Sequence, residues 1–128
     1  MHKEILIINH NKPMLNLLRK ALNGHSVEVH TDGQAAMKRL EEGLSPDLII
    51  LDADLPDQPD WQLVERLSHH QEFSSIPLMV LSDGCEEEIR TRSIANRVMD
   101  YFPKPFNMAS VVRSVENMFF SFAMGPVY

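Results

Sequence analysis

The sequence predicts an α/β fold, a doubly wound three-layer sandwich on a five-stranded parallel sheet. Two runs of four apolar residues, Ile5-Leu-Ile-Ile8 and Leu48-Ile-Ile-Leu51, show no polar alternation. Strands buried on both faces look like this, and such strands belong to parallel sheets. Segments with apolar residues at helical spacing separate the strand candidates, and parallel strands need crossovers of that kind. The 128 residues suit one domain, read as residues 1–128, that buries roughly two-thirds of its unfolded surface.

Taken in order, Ile5–Ile8 ends at Asn9-His10-Asn11-Lys12-Pro13, and Pro13 suits a first helical turn, where its missing N–H costs little. Leu15, Leu18 and Leu22, with Met14 and Ala21, keep helical spacing as far as the stop at Asn23-Gly24. Val27-Glu28-Val29 alternates as an edge strand does. Thr31-Asp32-Gly33 opens a second helix with Ala36, Met37 and Leu40 inward, ending near Gly43. Ser45-Pro46 leads into the central strand, bounded by Asp47 and Asp52.

Leu55 to Asp60 carries Pro56 and Pro59 and reads as a loop. Trp61, Leu63, Val64 and Leu67 mark a third helix, fraying through Ser68-His69-His70. Ile76 to Leu81 is a fourth strand, closed by Ser82-Asp83-Gly84. A helix from Glu86 to Asn96 follows, its first-turn acids placed at the positive end of the helix dipole. Val98 to Phe102 is a short fifth strand before Pro103-Lys104-Pro105. The last helix, from about Asn107, lines up Val111, Val112, Val115, Met118, Phe119 and Phe122, and Gly125-Pro126 ends it. Phe120, Ala123 and Met124 fall off that face and suit a partner surface.

The 44% hydrophobic and 23% charged composition is that of an ordinary globule. No apolar run approaches the ~20 residues of a membrane span, and Met1-His2-Lys3-Glu4 enters a strand with no signal-peptide pattern. A cytoplasmic protein without membrane contact is expected. The lone Cys85 forms no internal disulfide and reads as a small packing residue. A net charge of −6 argues against nucleic acid as a direct ligand.

Four loops bring polar groups to the carboxyl ends of the strands, where open α/β sheets collect ligands: Asn9-His10, Asp52, Ser82 and Lys104. A carboxylate, a hydroxyl and an ammonium in one crevice suit a transferred phosphoryl group. Asp52 is the candidate nucleophile, Ser82 a hydrogen-bond partner of a phosphoryl oxygen, and Lys104 its counter-charge. No second general acid or base accompanies Asp52, so an independent enzyme is not expected.

Asp52 followed by Leu55-Pro56, Ser82 closing the fourth strand, Tyr101 on the fifth, and Lys104-Pro105-Phe106 together resemble the receiver domains of two-component response regulators. The resemblance covers essentially the whole chain. It implies a flavodoxin-like fold with strand order 2-1-3-4-5 and five helices. It makes Asp52 the phosphoacceptor, Ser82 and Lys104 the phosphoryl-binding residues, Ser82 and Tyr101 the switch pair, and the Lys104-Pro105 bond cis. It implies Mg²⁺ held by Asp52 and the backbone carbonyl of Asp54. Implied partners are a histidine kinase or phosphotransfer protein, an output domain or protein on the face of helix four, strand five and helix five, and a second copy of the chain.

The departures are as informative. Asn9-His10 stands where the family has an acidic pair, and a hard divalent cation prefers anionic oxygen. Asn9 would be a weak ligand, so Mg²⁺ binding and Mg²⁺-dependent phosphorylation are expected to be impaired. Asp54 and Asp83 border the crevice as compensating acids, although the family's residue at the Asp54 position usually turns its side chain away. Asp60 replaces a glycine and predicts a loop of different shape, and Asn96 is the candidate left-handed cap of the fourth helix. Protonated His10 against Asp52 would stand in for the metal's charge; a transition-metal site with Asp52 and Asp54 lacks ligand spacing. A degenerate receiver that signals by binding is favoured over a competent phosphoacceptor. A mononucleotide binder is disfavoured, because residues 9–13 lack the glycines and hydroxyls that cradle phosphate.

Overall fold

A computed structural model describes residues 2–124, apart from the side chains of 122–124. β1 (Glu4–Ile8), β2 (Ser26–His30), β3 (Leu48–Asp52), β4 (Leu78–Ser82) and β5 (Asp100–Pro103) form one sheet in the order β2-β1-β3-β4-β5. Every pairing is parallel. α1 (Lys12–Ala21), α2 (Gly33–Glu41), α3 (Gln62–Ser68), α4 (Glu86–Ala95) and α5 (Met108–Met124) alternate with the strands. The expected fold is therefore the observed one.

The layers follow from the two-residue period of a strand. Leu6, Ile8, Ile49, Leu51 and Val80 turn to one side, where they meet Met37, Leu63, Leu67 and Ile89 of α2, α3 and α4. Ile5, Ile7, Ile50, Met79 and Leu81 turn to the other and meet Leu15 and Leu18 of α1 and Val111, Val115 and Phe119 of α5. Every residue of β3 and β4 is buried. The register opposes Ile8 to Leu51, Asp52 to Leu81 and Ser82 to Pro103. Asn9, Asp52, Ser82 and Lys104 consequently arrive together at the carboxyl edge.

α1 is started by Asn11, whose side chain accepts the Met14 N–H at 3.0 Å, and α2 by Asp32, which accepts from Ala35 N at 2.7 Å. Several expected details differ. β5 starts at Asp100 rather than Val98, because the Val98 N–H bonds the Ser93 carbonyl and closes the end of α4. Arg97, not Asn96, takes the left-handed conformation, at φ 54°. Asn96 is held instead by its own amide, which donates to the Arg92 carbonyl and accepts from Ser68 Oγ at 2.8 Å. Trp61 is the residue before α3, left-handed at φ 65°, with its ring buried. Cys85 is exposed at the start of α4, ahead of the first buried residue, Ile89, and so is no packing residue. As expected, α3 ends at Ser68, with His69 as its C-cap and His70 outside the helix, stacked on Phe73.

The Lys104-Pro105 bond is cis. Phe120 is 64% exposed, whereas the side chains of Phe122, Ala123 and Met124 and the stop at Gly125-Pro126 lie outside the described residues. No helix among the described residues is long and apolar enough to cross a membrane.

Candidate functional site

The site is built around the end of β3. The Asp52 side chain is fully buried; Lys104 Nζ pairs with its Oδ2, and the Asp54 N–H donates to its Oδ1 at 2.8 Å. A carboxylate in such surroundings is tolerable because it is both paired and hydrogen-bonded; stripping one partner from a buried pair typically costs about 3–5 kcal/mol. Lys104 reaches it because the Lys104 N–H bonds the Ser82 carbonyl at 2.8 Å, one step past the end of the ladder. Asp83 Oδ2 lies 3.6 Å from the same ammonium. The buried Ser82 hydroxyl accepts from Gly84 N at 3.3 Å and donates to Asp54 Oδ2 at 3.4 Å.

Asn9 is buried at the end of β1. Its N–H bonds the His30 carbonyl, and its Oδ1 accepts the Asn11 N–H at 2.8 Å, which helps shape the loop. His10 is exposed. With Asn9, Asn11, Met14, Asp83 and Lys104 it lines a crevice of about 260 Å³ beside Asp52.

The structure thus brings Asp52, Ser82, Lys104, Asp54 and Asn9 to one edge. Among the described residues no hydrogen bond or ion pair joins the exposed His10 to Asp52, whose carboxylate meets Lys104 and the Asp54 N–H. The Asp54 side chain does not turn away, since its carboxylate is the acceptor for Ser82 Oγ. Tyr101 is half-buried against the cluster that contains Ile89, beneath α4.

Two features were not legible in the sequence. Asp57 accepts the N–H groups of Gly33 (3.0 Å) and Gln34 (2.9 Å), which ties the loop after β3 to the start of α2. A Cβ on Gly33 would come within 2.7 Å of Gln58 Cγ and 3.2 Å of Leu63 Cδ2, so a larger residue would push these side chains aside. On its other side the loop is tied to α4, where Arg92 Nη1 donates to Asp60 Oδ1 at 2.8 Å. An acid between two prolines signals a turn; its partner many residues away leaves no local trace.

A divalent cation would find a poor donor set. At the end of β1 stand a neutral amide and an exposed imidazole, where a hard ion prefers carboxylates, and the acids bordering this edge are Asp54 and Asp83, of which Asp83 already faces Lys104. Among the described residues no group of three His, Cys, Asp or Glu side chains is spaced to hold a metal.

Residues 5–116 match the response regulator receiver domain family. The chain is 34% identical over 120 residues to the phosphate regulon transcriptional regulatory protein PhoB of Rhizobium meliloti, covering 92% of this chain and 52% of that protein. It is 33% identical over 115 residues to the sensor histidine kinase TmoS of Ectopseudomonas mendocina, covering 89% of this chain and 12% of that one. The chain therefore spans about half, or much less, of the length of these relatives. Among solved structures, the phosphorylated cyanobacterial phytochrome response regulator RcpA superposes with a TM-score of 0.79 at 26% identity, with 98% of each chain covered. Five parallel strands in this order, a buried aspartate met by a lysine at their edge, and a family match over most of the chain lead to one assignment: the protein belongs to the response regulator receiver domains of two-component signalling.

Proposed function

We propose that this receiver keeps Asp52 at the phosphoacceptor position and signals through protein contacts, with Mg²⁺-dependent phosphorylation impaired by Asn9 and His10. The observation that carries the proposal is the contrast within one crevice. Lys104 pairs with a buried Asp52 and the Ser82 hydroxyl reaches the neighbouring Asp54, while the end of β1 offers a neutral amide and an exposed imidazole. A unit charge at ~4 Å contributes about 4 kcal/mol at an effective dielectric of 20, and a divalent ion feels each lost carboxylate roughly twice over. Affinity for Mg²⁺ is correspondingly weak.

Phosphorylation would form a bond between phosphorus and an Asp52 carboxylate oxygen while the bond to the donor's leaving group breaks. Lys104 would pass from the carboxylate to a phosphoryl oxygen, and Ser82 would exchange Asp54 for another. Movement of Ser82 and Tyr101 would then alter the surface of α4, β5 and α5, where an output domain or protein docks. On this reading residues 1–128 act as a binding module with no catalysis of their own, which meets a histidine kinase or phosphotransfer protein. The Asp52, Ser82 and Lys104 constellation specifically favours a second reading, a competent phosphoacceptor.

Intact mass after incubation with acetyl phosphate and Mg²⁺ separates the two. The impaired receiver stays free of a phosphoryl adduct, and changing Asn9→Asp and His10→Asp together restores one that Asp52→Ala removes. A stoichiometric Asp52-dependent adduct on the unaltered protein establishes the second reading.

A further inference from the structure

We propose that Arg92 is a positioning residue for the loop that follows Asp52, and the strut through which that loop and α4 bias one another. Asp60 (φ 54°) and Trp61 (φ 65°) are consecutive non-glycine residues in the left-handed region. Such backbone is strained for L-residues, and the strain persists only where the surroundings hold it. Three contacts hold it here. The Trp61 ring is buried, and the Trp61 N–H returns to the Ala53 carbonyl at 2.9 Å, next to Asp52. Arg92 reaches across from α4, donating to Asp60 Oδ1 at 2.8 Å, with its guanidinium carbon 5.8 Å from the Trp61 ring centroid.

The contacts form a continuous chain from Asp52 to α4. Asp54 N–H holds Asp52 Oδ1, the Ala53 carbonyl holds Trp61 N–H, and Asp60 and Trp61 hold Arg92. At its other end the loop is fixed to α2 through Asp57. A displacement that starts at Asp52 therefore has α4 as its outlet. α4 is suited to yield, since only Ile89 and Ser93 of its ten residues are buried. Coupling of this kind is reciprocal, so anything that docks on α4 also moves the loop. The functional meaning rests on Asp52 being the residue whose state changes; the mechanical link does not.

Spatial continuity alone is no proof of coupling, and a double-mutant cycle supplies one. Hydrogen exchange in α4 and at the Trp61 N–H, with emission of the single tryptophan, is measured for the unaltered chain, Asp52→Asn, Arg92→Gln and the double variant. Arg92→Gln is expected to speed exchange at both places and red-shift the emission. Asp52→Asn is expected to change α4 exchange about five-fold or more with Arg92 present, and to lose that effect without it. Asp60→Gly provides a variant that relieves the strained backbone, so it stays folded, and it too is expected to abolish the response of α4. Glu88→Gln, which removes only the 3.5 Å contact of Arg92 within its own helix, is expected to preserve it. An α4 response to Asp52→Asn that is absent, or the same with and without Arg92, overturns the proposal. So does a Trp61 N–H indifferent to Arg92→Gln. Because the cycle uses Asp52→Asn and no phosphodonor, its failure counts against the strut alone, and failure to form an adduct counts against the phosphoacceptor reading alone.

Discussion

α1 and α4 are both ten residues long and lie in opposite layers of the sandwich. α1 is capped by Asn11, carries Arg19 and Lys20 at its negative end, and buries Leu15 and Leu18. α4 has three first-turn glutamates but no side-chain cap, and buries one aliphatic side chain, Ile89, beside the polar Ser93. Beside Ile89, the contacts of α4 are largely polar: Asn96 to the buried Ser68, and Arg92 to a largely exposed Asp60. Non-directional apolar packing holds a helix against any small change, whereas a few directional links can be made or broken one at a time. Of the two helices, α4 buries the fewer apolar side chains and is the one held mainly by directional contacts.

The largest effect expected from this contrast is in the packed helix. Leu18→Ala removes a fully buried side chain and should lower the free energy of unfolding by about 3 kcal/mol, read by urea denaturation. Hydrogen exchange should then rise evenly over the whole sheet, because α1 opens only with the core. Ile89→Ala should instead raise exchange in α4 ahead of the rest, since its one aliphatic anchor is gone. Identical exchange patterns in the two variants would erase the distinction.

A smaller effect of opposite sign is expected at Ser93. Among the described residues its Oγ is the one buried side-chain polar atom without a hydrogen-bond partner. Desolvating such a group costs about 1–3 kcal/mol, and alanine is also the better helix former. Ser93→Ala should therefore stabilise the protein by about 1 kcal/mol in the same urea measurement. A loss of that size would show that the hydroxyl is satisfied and that α4 is better fixed than its contacts suggest.

The same contrast separates what the sequence makes legible from what it hides. Ile5–Ile8 and Leu48–Leu51 announce buried strands because both faces of a central strand demand apolar residues, and that demand is local. Leu15, Leu18 and Leu22 announce α1 for a similar reason. Asp52, Ser82 and Lys104 were legible as a site because the first two end their strands and the third follows β5 directly, so strand order brings them to one edge. The α4 region was not. Its boundary at Arg97 depends on Asn96 being occupied by Ser68 of a different helix. The left-handed pair Asp60-Trp61 meets Arg92 of a helix some thirty residues on. The outward expectation for Asp54 failed because the Ser82 hydroxyl offers its carboxylate a partner. Polar contacts between distant segments set these details, and no periodicity records them.

α2 tests the rule from the intermediate side, and with the smallest effect. It packs Ala36, Met37 and Leu40 as α1 packs its leucines, yet it also carries a polar tie, Arg39 to Glu28 of β2, at 2.8 Å and 3.0 Å. The Arg39 guanidinium, and next His30, hold the Glu28 carboxyl down from an ordinary 4.5 to about 2. A group with a depressed value in the folded state stabilises that state fully above its unfolded value. The contribution is therefore present above pH 4.5, and fades as pH falls toward 2. Because Glu28 is about one-third exposed, solvent screening should hold the effect below about 1 kcal/mol. The difference in urea stability between the unaltered protein and Glu28→Gln, followed from pH 6 downward, should shrink across that window. At the same time α2 should stay protected from exchange, since its apolar face does not titrate. If α2 came loose instead, packing would not be what distinguishes a fixed helix from a movable one in this fold, and the softness assigned to α4 would need another cause.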